Sequence, residues 1–268
     1  MPQKLFDQVQ NYGKAKYLIP PVLPKDPSGQ LGKKKILDIG TLEESIVKNL
    51  TVETYMQISN AMKTHGGFEC KHSGTTAVTL TVTKDSFLVS NVGDSRCIIF
   101  RQMMANLPST SSKVISDWAA ESLSRDHKPN LSGESERIIS MNGRIDYYKD
   151  SDGRRVGPSR VYAKDEEGPG LAMSRSLGDT VAEKLGVIAT PDFKLFKRMA
   201  DRDRAIVVCS DGVTEFLSNE RIGDIIYPFY ASNDTEGACR KLVEESTLQW
   251  IKEDTVIDDI TAVVIFFQ

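Results

Sequence analysis

Three aspartates, Asp94, Asp211 and Asp258, lie where a hydrophobic run that predicts a β-strand meets a turn. The runs at residues 87–92 and 205–209 end shortly before an aspartate, and the last run of the chain begins just after the third. In an antiparallel sheet the end of one strand lies beside the start of its neighbour. We therefore expect carboxylates from distant parts of the chain to meet at one rim of a sheet.

Carboxylates that meet in this way are suited to a divalent cation, because Mg²⁺ and Mn²⁺ prefer oxygen ligands. The alternative is an ordinary turn at each aspartate, since Gly-Asp and Asp-Gly are common turn dipeptides. The positions of the acids leave both interpretations open, and the residues around them favour the first.

Five short blocks of sequence contain these acids or lie between them. They are Ser73–Ala77, Val92–Arg96, Asp126–Pro129 with Glu136–Ile138, Leu171–Asp179, and Ser210–Val213 with Asp258–Thr261. In type and order the blocks resemble those of the metal-dependent, type 2C (PPM-type) protein serine/threonine phosphatases. The resemblance extends from about Lys63 to the C-terminus.

The resemblance implies an α+β fold. Two antiparallel β-sheets are expected to pack as a sandwich, with helices flanking both outer faces in α-β-β-α layers. We expect residues 1–268 to form a single phosphatase domain that is N-terminally incomplete, because the family's first strands have no counterpart in the sequence.

The resemblance also implies a site for a pair of Mg²⁺ or Mn²⁺ ions. Asp211 and Asp258 match the family's metal-binding aspartates, and Asp94 matches an aspartate associated with a further ion. Glu215 stands where the family usually has a second aspartate for that ion, and its side chain is longer by one methylene. The expected metal ligands are therefore Asp211, Asp258, Asp94 and Glu215.

The chain departs from the family pattern near its start. Family members carry a strand that ends in Asp-Gly-His-Gly-Gly, in which the aspartate bridges both ions and the histidine assists the chemistry. Residues 1–62 contain no such segment, and residues 64–67, Thr-His-Gly-Gly, are interpreted as a helix end stopped by glycine. We expect the chain to begin after the first catalytic motif, and we identify no catalytic residue apart from the metal ligands.

The function that the resemblance implies is hydrolysis of phosphoserine and phosphothreonine in proteins by a metal-activated water. Without the bridging carboxylate, this exact chain is expected to bind metal weakly and to turn over slowly. The alternative is a catalytically silent phosphatase fold that binds or regulates a partner. A third interpretation is an unrelated β-sandwich that binds metal for structure.

Composition limits the partners and the compartment. A formal net charge of −3 argues against nonspecific nucleic-acid binding, and the longest apolar run is too short to span a membrane. Four cysteines without paired spacing, and a start without a secretory signal, predict the cytoplasm or nucleus. The expected partner is a phosphoprotein substrate, with possible self-association through exposed strand edges.

Several elements are needed to position the acids. Residues 75–83 and 87–100 predict two paired strands around a Lys84-Asp85 turn. A capping box at Thr41 and Glu44 begins a predicted helix that runs to Met62. The remaining helices are expected at 133–142 and after the capping residues Ser218 and Asp234.

The charged segment 146–170 has two interpretations. It occupies the position of the family's flap beside the active site, where Arg154, Arg155, Arg160 or Lys164 would meet a phosphopeptide. The alternative is a mobile surface loop, because runs of charge are usually solvated. For Arg175 and Asp179, in the fourth block, we expect a structural ion pair or turn.

Overall fold

The computed structural model describes residues 44–67, 69–103, 117–254 and 256–268. All of them belong to one compact unit that spans Ile39–Gln268. The predicted capping residue Thr41 lies outside the described residues.

The described residues form six helices and twelve strands. The helices are α1 (Glu44–Thr64), α2 (Glu134–Ser140), α3 (Thr180–Glu183), α4 (Asp211–Thr214), α5 (Asn219–Tyr230) and α6 (Thr235–Glu253). The strands are β1 (Gly74–Thr75), β2 (Ala77–Val82), β3 (Ser86–Val92), β4 (Arg96–Gln102), β5 (Trp118–Ser122), β6 (Gly143–Lys149), β7 (Arg155–Ala163), β8 (Pro169–Leu171), β9 (Leu177–Gly178), β10 (Asp192–Lys197), β11 (Asp203–Cys209) and β12 (Ala262–Phe266).

Two antiparallel sheets form the centre of the molecule. One has the strand order β10-β3-β2 and the other has the order β12-β11-β4-β5. Phe87 and Val89 of β3 pack with Ile99 of β4 and Ile206 of β11 in one buried cluster between the sheets. Side chains alternate between the two faces of a strand, so the other face of each sheet is available to helices.

Helices cover both outer faces. Ile222 of α5 and Leu242 of α6 are buried against Ile98 of β4, and Tyr55 of α1 packs with Val92 of β3. The α-β-β-α sandwich expected from the resemblance is therefore confirmed. Among the described helices, none is both long enough and apolar enough to cross a membrane.

The predicted helix boundaries are largely confirmed. The Ser218 hydroxyl accepts a hydrogen bond from the Arg221 amide, and the Asp234 carboxylate accepts one from Gly237. Helix α1 ends at Thr64, one residue before the His-Gly-Gly sequence that was interpreted as a stop signal. Helices α5 and α6 thus begin where a side-chain oxygen satisfies one of the terminal backbone groups.

The prediction of one strand over 87–100 is wrong. The segment forms β3 and β4, which belong to different sheets. Gly93 adopts a φ of 99°, and a Cβ on it would lie 2.3 Å from the Thr76 Cγ2 atom. Only glycine fits such a backbone at such a close contact, so the chain turns there and crosses from one sheet to the other.

The segment 146–170 contains a sheet of its own. Strands β6, β7 and β8 form a three-stranded antiparallel sheet, in which Val161 is buried with Ile138 of α2. The sequence hides these strands because charged residues interrupt the apolar pattern around Tyr147, Tyr148 and Tyr162. The interpretation of this segment as a structureless loop is therefore wrong.

A buried carboxylate ties α2 to the rest of the domain. Glu134 is 2% exposed and accepts hydrogen bonds from Arg175, Arg137 and Ser174. Burial alone would raise the pKa of Glu134, but these donors outweigh it and lower the pKa to about 2. Arg175 also donates to Asp192 at 2.9 Å, so its predicted structural role is confirmed.

Replacement of this carboxylate tests the network. Glu134→Gln removes the charge that faces Arg137 and Arg175, although Asp192 still pairs with Arg175. It should lower the free energy of unfolding by about 2–3 kcal/mol at neutral pH, the contribution of hydrogen bonds to a charged group. Glu136→Gln, on the same helix, should change it by less than about 0.5 kcal/mol. Urea unfolding curves of the three proteins make the comparison.

The stability difference between wild type and Glu134→Gln is also expected to depend on pH. The folded pKa of Glu134 lies below its ordinary value of 4.5, so the stabilisation is complete above 4.5 and is lost as the pH falls towards 2. The stability difference between wild type and Glu134→Gln should therefore shrink in acid. A difference that stays constant down to about pH 3 would contradict the assignment.

Candidate metal centre

Strand register brings the ends of three strands together. Cys209, at the end of β11, is paired with Ala262 at the start of β12 and with Arg96 at the start of β4. Asp211 follows Cys209 in the sequence. Asp258 precedes Ala262, and Asp94 precedes Arg96. The rim predicted from the sequence therefore exists, although β12 begins at Ala262 rather than at Ile260.

Ser210 joins two of these strand ends. Its hydroxyl accepts a hydrogen bond from the Thr261 amide at 3.0 Å and donates one to the Asp259 carbonyl at 3.1 Å. A Cβ on Gly212 would lie 2.4 Å from that same Asp259 carbonyl oxygen. The Ser-Asp-Gly sequence thus holds the residues around Asp258 against the start of α4.

The turn that carries Asp94 is held by a buried histidine. His127 Nδ1 accepts a hydrogen bond from the Gly93 amide at 3.1 Å, and the His127 amide donates to the Gly93 carbonyl at 3.0 Å. The Asn91 side chain donates to the same carbonyl at 3.0 Å. This arrangement fixes the direction of Asp94, and it uses a histidine whose role the sequence analysis did not assign.

The electrostatics of Asp211 show that the acids influence one another. Burial and then the charges of Asp94, Asp258 and Glu215 raise its pKa to about 6, against an opposing effect of Lys128. Like charges raise a carboxyl pKa only when they lie close by. The four predicted ligands therefore gather in one part of the molecule.

Asp94 has a cationic partner in the structure. Its carboxylate is 2% exposed, and its Oδ2 atom lies 2.6 Å from the Nζ atom of Lys128. Burial alone would lower the pKa of Lys128, but the charge of Asp94 and their hydrogen bond raise it. Lys128 comes from the third sequence block, and its ammonium group supplies the positive charge that a buried carboxylate requires.

Three of the acids line a cavity of about 700 Å³. Asp211, Glu215 and Asp258 form part of its wall together with cationic residues from three other segments. These cationic residues are Lys71, Lys128 and Arg160, and the cavity wall also contains His72. An acidic patch beside several cations is able to hold a metal ion and an anionic substrate at the same time.

The chemistry of the donor groups fits a divalent ion. Carboxylates of Asp211, Asp258 and Asp94 are the hard oxygen ligands that Mg²⁺ and Mn²⁺ prefer, and their mutual repulsion is relieved by a cation. Within the described ranges, however, no three acids, histidines or cysteines lie close enough to form an ion-binding group. The carboxylate oxygens are suitable ligands for a divalent ion, but water would supply much of the coordination of that ion.

The three arginines of the β6–β8 segment have different surroundings, and Lys164 is not part of the cavity wall. Arg160 lines the cavity, stacks over the Tyr148 ring at 4.3 Å and donates to the Gly170 carbonyl at 2.8 Å. Arg154 instead pairs with Asp152 at 3.3 Å. Arg155 lies over the Tyr147 ring at 5.0 Å. Among the candidates from this segment, Arg160 is the one placed to meet a ligand in the cavity.

Sequence reasoning missed part of the cavity wall. Lys71 and His72 directly precede the first block, and Val256 and Ile257 directly precede Asp258. The only available signal was this adjacency to the recognised blocks, because none of the four residues forms a motif of its own.

The comparisons with known proteins agree with this geometry. The Protein phosphatase 2C family model matches residues 6–254, which begins well upstream of Lys63. "Probable protein phosphatase 2C 73" of Oryza sativa subsp. japonica is 30% identical over 223 residues, covering 82% of this chain and 49% of the relative. "Probable protein phosphatase 2C 18" of Arabidopsis thaliana is 34% identical over 224 residues, covering 83% and 41%.

Solved structures share the fold. A serine-threonine phosphatase 2C from Toxoplasma gondii superposes with a TM-score of 0.68 at 21% identity, over 84% of this chain and 68% of that one. A C. elegans sex determining protein gives a TM-score of 0.62 at 16% identity, over 91% and 49%. The chain belongs to the protein phosphatase 2C family. It spans about half the length of the curated relatives that it matches.

Removal of the internal cation tests the electrostatics of the rim. Lys128→Met frees the Asp94 carboxylate and should strengthen Mn²⁺ binding on the order of tenfold, because a neighbouring charge changes such equilibria by at least that much. Without metal, the same variant should be less stable by about 3 kcal/mol, because Asp94 is left buried and unpaired.

Mn²⁺ titration followed by electron paramagnetic resonance measures the first effect, and thermal melting in a chelator measures the second. Lys71→Met is the matched control, since it removes a lysine from the same cavity and leaves the Asp94 pair intact. Equal Mn²⁺ affinities for the two variants would show that Lys128 does not compete with the ion.

Proposed function

We propose that this chain acts on phosphoserine and phosphothreonine in proteins, as a phosphatase whose water nucleophile is activated by a divalent ion. The observation that carries the proposal is the shared cavity, in which Asp211 and Asp258 face the same space as Lys128 and Arg160. Membership of the protein phosphatase 2C family supports it. We further propose that residues 1–268 contribute to a single phosphatase domain, since the family match spans 6–254.

The proposed roles follow from the position of each side chain. Asp211 and Asp258 would hold a Mg²⁺ or Mn²⁺ ion, with Asp94 and Glu215 available to a further ion. Such an ion supplies an acidified water and positive charge for the phosphoryl oxygens. Arg160, held by Tyr148 and the Gly170 carbonyl, is a preorganised cation for the phosphate of the substrate.

We propose that this exact chain turns over slowly. Its 268 residues contain no Asp-Gly-His-Gly-Gly sequence, so the bridging carboxylate and the adjacent histidine of the family have no counterpart. An ion held by few carboxylates keeps most of its water and binds weakly. Lys128 also holds the Asp94 carboxylate at 2.6 Å, and a metal ion must displace it.

A Mn²⁺-dependent assay on a phosphoserine peptide tests both parts of the proposal. The purified 268-residue chain should release phosphate with a kcat at least roughly tenfold below that of a relative with the complete motif set, because a misassembled site loses about that much or more. Asp211→Asn should abolish the remaining Mn²⁺-dependent rate.

Asp259→Asn is the matched control, because Asp259 contributes a backbone carbonyl to Ser210. It should retain the rate of the unmodified chain. A turnover close to that of the complete relative would defeat the claim of impairment. A rate unaffected by Asp211→Asn would defeat the assignment of the site.

The second candidate function is a catalytically silent domain that binds a phosphorylated partner. The Lys128–Asp94 ion pair favours it, because the buried carboxylate is already neutralised without metal. Retention of Asp211 and Asp258 beside each other favours the enzyme, since clustered acids are costly when no cation offsets their repulsion. Metal-independent binding of a phosphopeptide, without hydrolysis, would identify the silent domain.

We propose that the chain works in the cytoplasm or nucleus on phosphoprotein substrates. All four cysteines, each of them in the described residues, are free thiols, and Cys70, Cys97 and Cys209 are buried. Unpaired thiols are typical of a reducing compartment.

We also propose self-association through the exposed edge of β12. Among the described strands, β12 is at the end of its sheet, and its Val263 side chain is 52% exposed. A charge on an edge strand opposes pairing with another chain, so Val263→Lys should lower the fraction of dimer in sedimentation velocity. Leu248→Lys, equally exposed at 52% on α6, is the control and should leave that fraction unchanged. A monomeric unmodified chain would contradict the proposal.

A further inference from the structure

The cavity also has an apolar wall. Besides its acids and cations, it is lined by large apolar side chains from four segments of the chain. They are Val156, Pro158, Leu171, Met173, Phe216, Trp250, Val256 and Ile257. Ion binding and phosphate binding leave these side chains without a role, and apolar groups exposed together usually mark a contact surface.

Part of this apolar wall is rigid. The rings of Phe216 and Trp250 meet edge to face, with centroids 4.7 Å apart. The indole nitrogen of Trp250 donates to the Gly212 carbonyl at 2.7 Å, one residue from Asp211. A ring fixed in this way loses little freedom when a ligand packs against it, which favours binding.

Another part of the apolar wall is exposed to solvent beside the acids. Val256 is 70% exposed and Ile257 is 46% exposed, and both directly precede Asp258. Val156, on β7 at another part of the cavity wall, is 45% exposed. These side chains remain in contact with water unless a ligand covers them, and burial of apolar surface is favourable.

The charges of the cavity indicate what the ligand carries. Lys71, Lys128 and Arg160 converge from separate segments on a space that also reaches the apolar wall. A volume of about 700 Å³ is large enough for a phosphorylated residue with a neighbouring side chain. The same wall carries the acids Asp211, Glu215 and Asp258, so a divalent ion must first offset these acids. With that ion in place, the complement of the surface is an anionic group with an apolar group close to it.

We propose that the cavity selects phosphopeptides in which a large apolar residue lies within two positions of the phosphorylated serine or threonine. The inference rests on the proposed function, since it names the substrate class of the same cavity. The phosphate binds among the cations, and the apolar side chain packs against Ile257, Val256 and Trp250. Ile257 and Val256 are thus specificity-determining residues rather than catalytic ones.

Binding of paired peptides tests the inference without relying on turnover. The probes are fluorescent peptides that carry a non-hydrolysable phosphonate analogue of phosphoserine, flanked by leucine in one peptide and by serine in the other. The leucine peptide should bind the chain roughly tenfold more tightly in fluorescence anisotropy, because a large side chain in an apolar pocket contributes at least that factor.

Variants then locate the preference. Ile257→Ser should reduce it to less than about threefold, which corresponds to loss of most of the apolar contact. Ile251→Ser is the matched control, because Ile251 is 61% exposed on the adjacent helix and is not part of the cavity wall. This variant should keep the full preference for leucine.

The outcomes separate the two hypotheses. Equal affinities for the leucine and serine peptides would overturn the inference and leave the proposed function standing. Failure of both phosphonate peptides to bind would overturn the proposed function and the inference together. Equal binding of an unphosphorylated leucine peptide would also overturn the inference, because it would show a general apolar groove. A dimer of the unmodified chain that dissociates in Ile257→Ser would overturn it as well, because the apolar wall would then be a contact between two copies.

Discussion

The pairing of β11 with its two neighbours is the constraint on which the site depends. β4 and β12 both run antiparallel to β11, so the end of one central strand meets the starts of the two beside it. A shift of one residue in either register would turn every side chain to the opposite face. The buried cluster between the sheets opposes such a shift, and the hydrophobic core therefore sets the positions of Asp94, Asp211 and Asp258.

Hydrogen bonds of polar side chains hold the loops that carry the acids at the ends of these strands. His127 and Asn91 hold the Gly93 turn, while Ser210 holds the loop that carries Asp258. Each of these contacts satisfies a backbone group that the end of a strand leaves unpaired. The same hydrogen bonds therefore close the sheets and direct the acids, so stability and site geometry share their determinants.

The sequence predicted those features that depend on local pattern. Hydrophobic runs located the two long strands of the rim, and capping residues located α5 and α6. The end of the run at 87–92 was predicted, but the crossing at Gly93 to the other sheet was missed, because it depends on a close contact with the distant Thr76. The β6–β8 sheet was missed because charged residues interrupt its apolar pattern. The pairing of Lys128 with Asp94 joins distant residues, and no local pattern encodes it.

The internal ammonium group of Lys128 bears on how such a protein matures. A rim of bare carboxylates would resist assembly until an ion arrived, and newly made chains would then depend on the cellular ion pool in order to fold. Here Lys128 neutralises the most buried acid from within the chain. Folding therefore does not require an ion to offset the charge of Asp94.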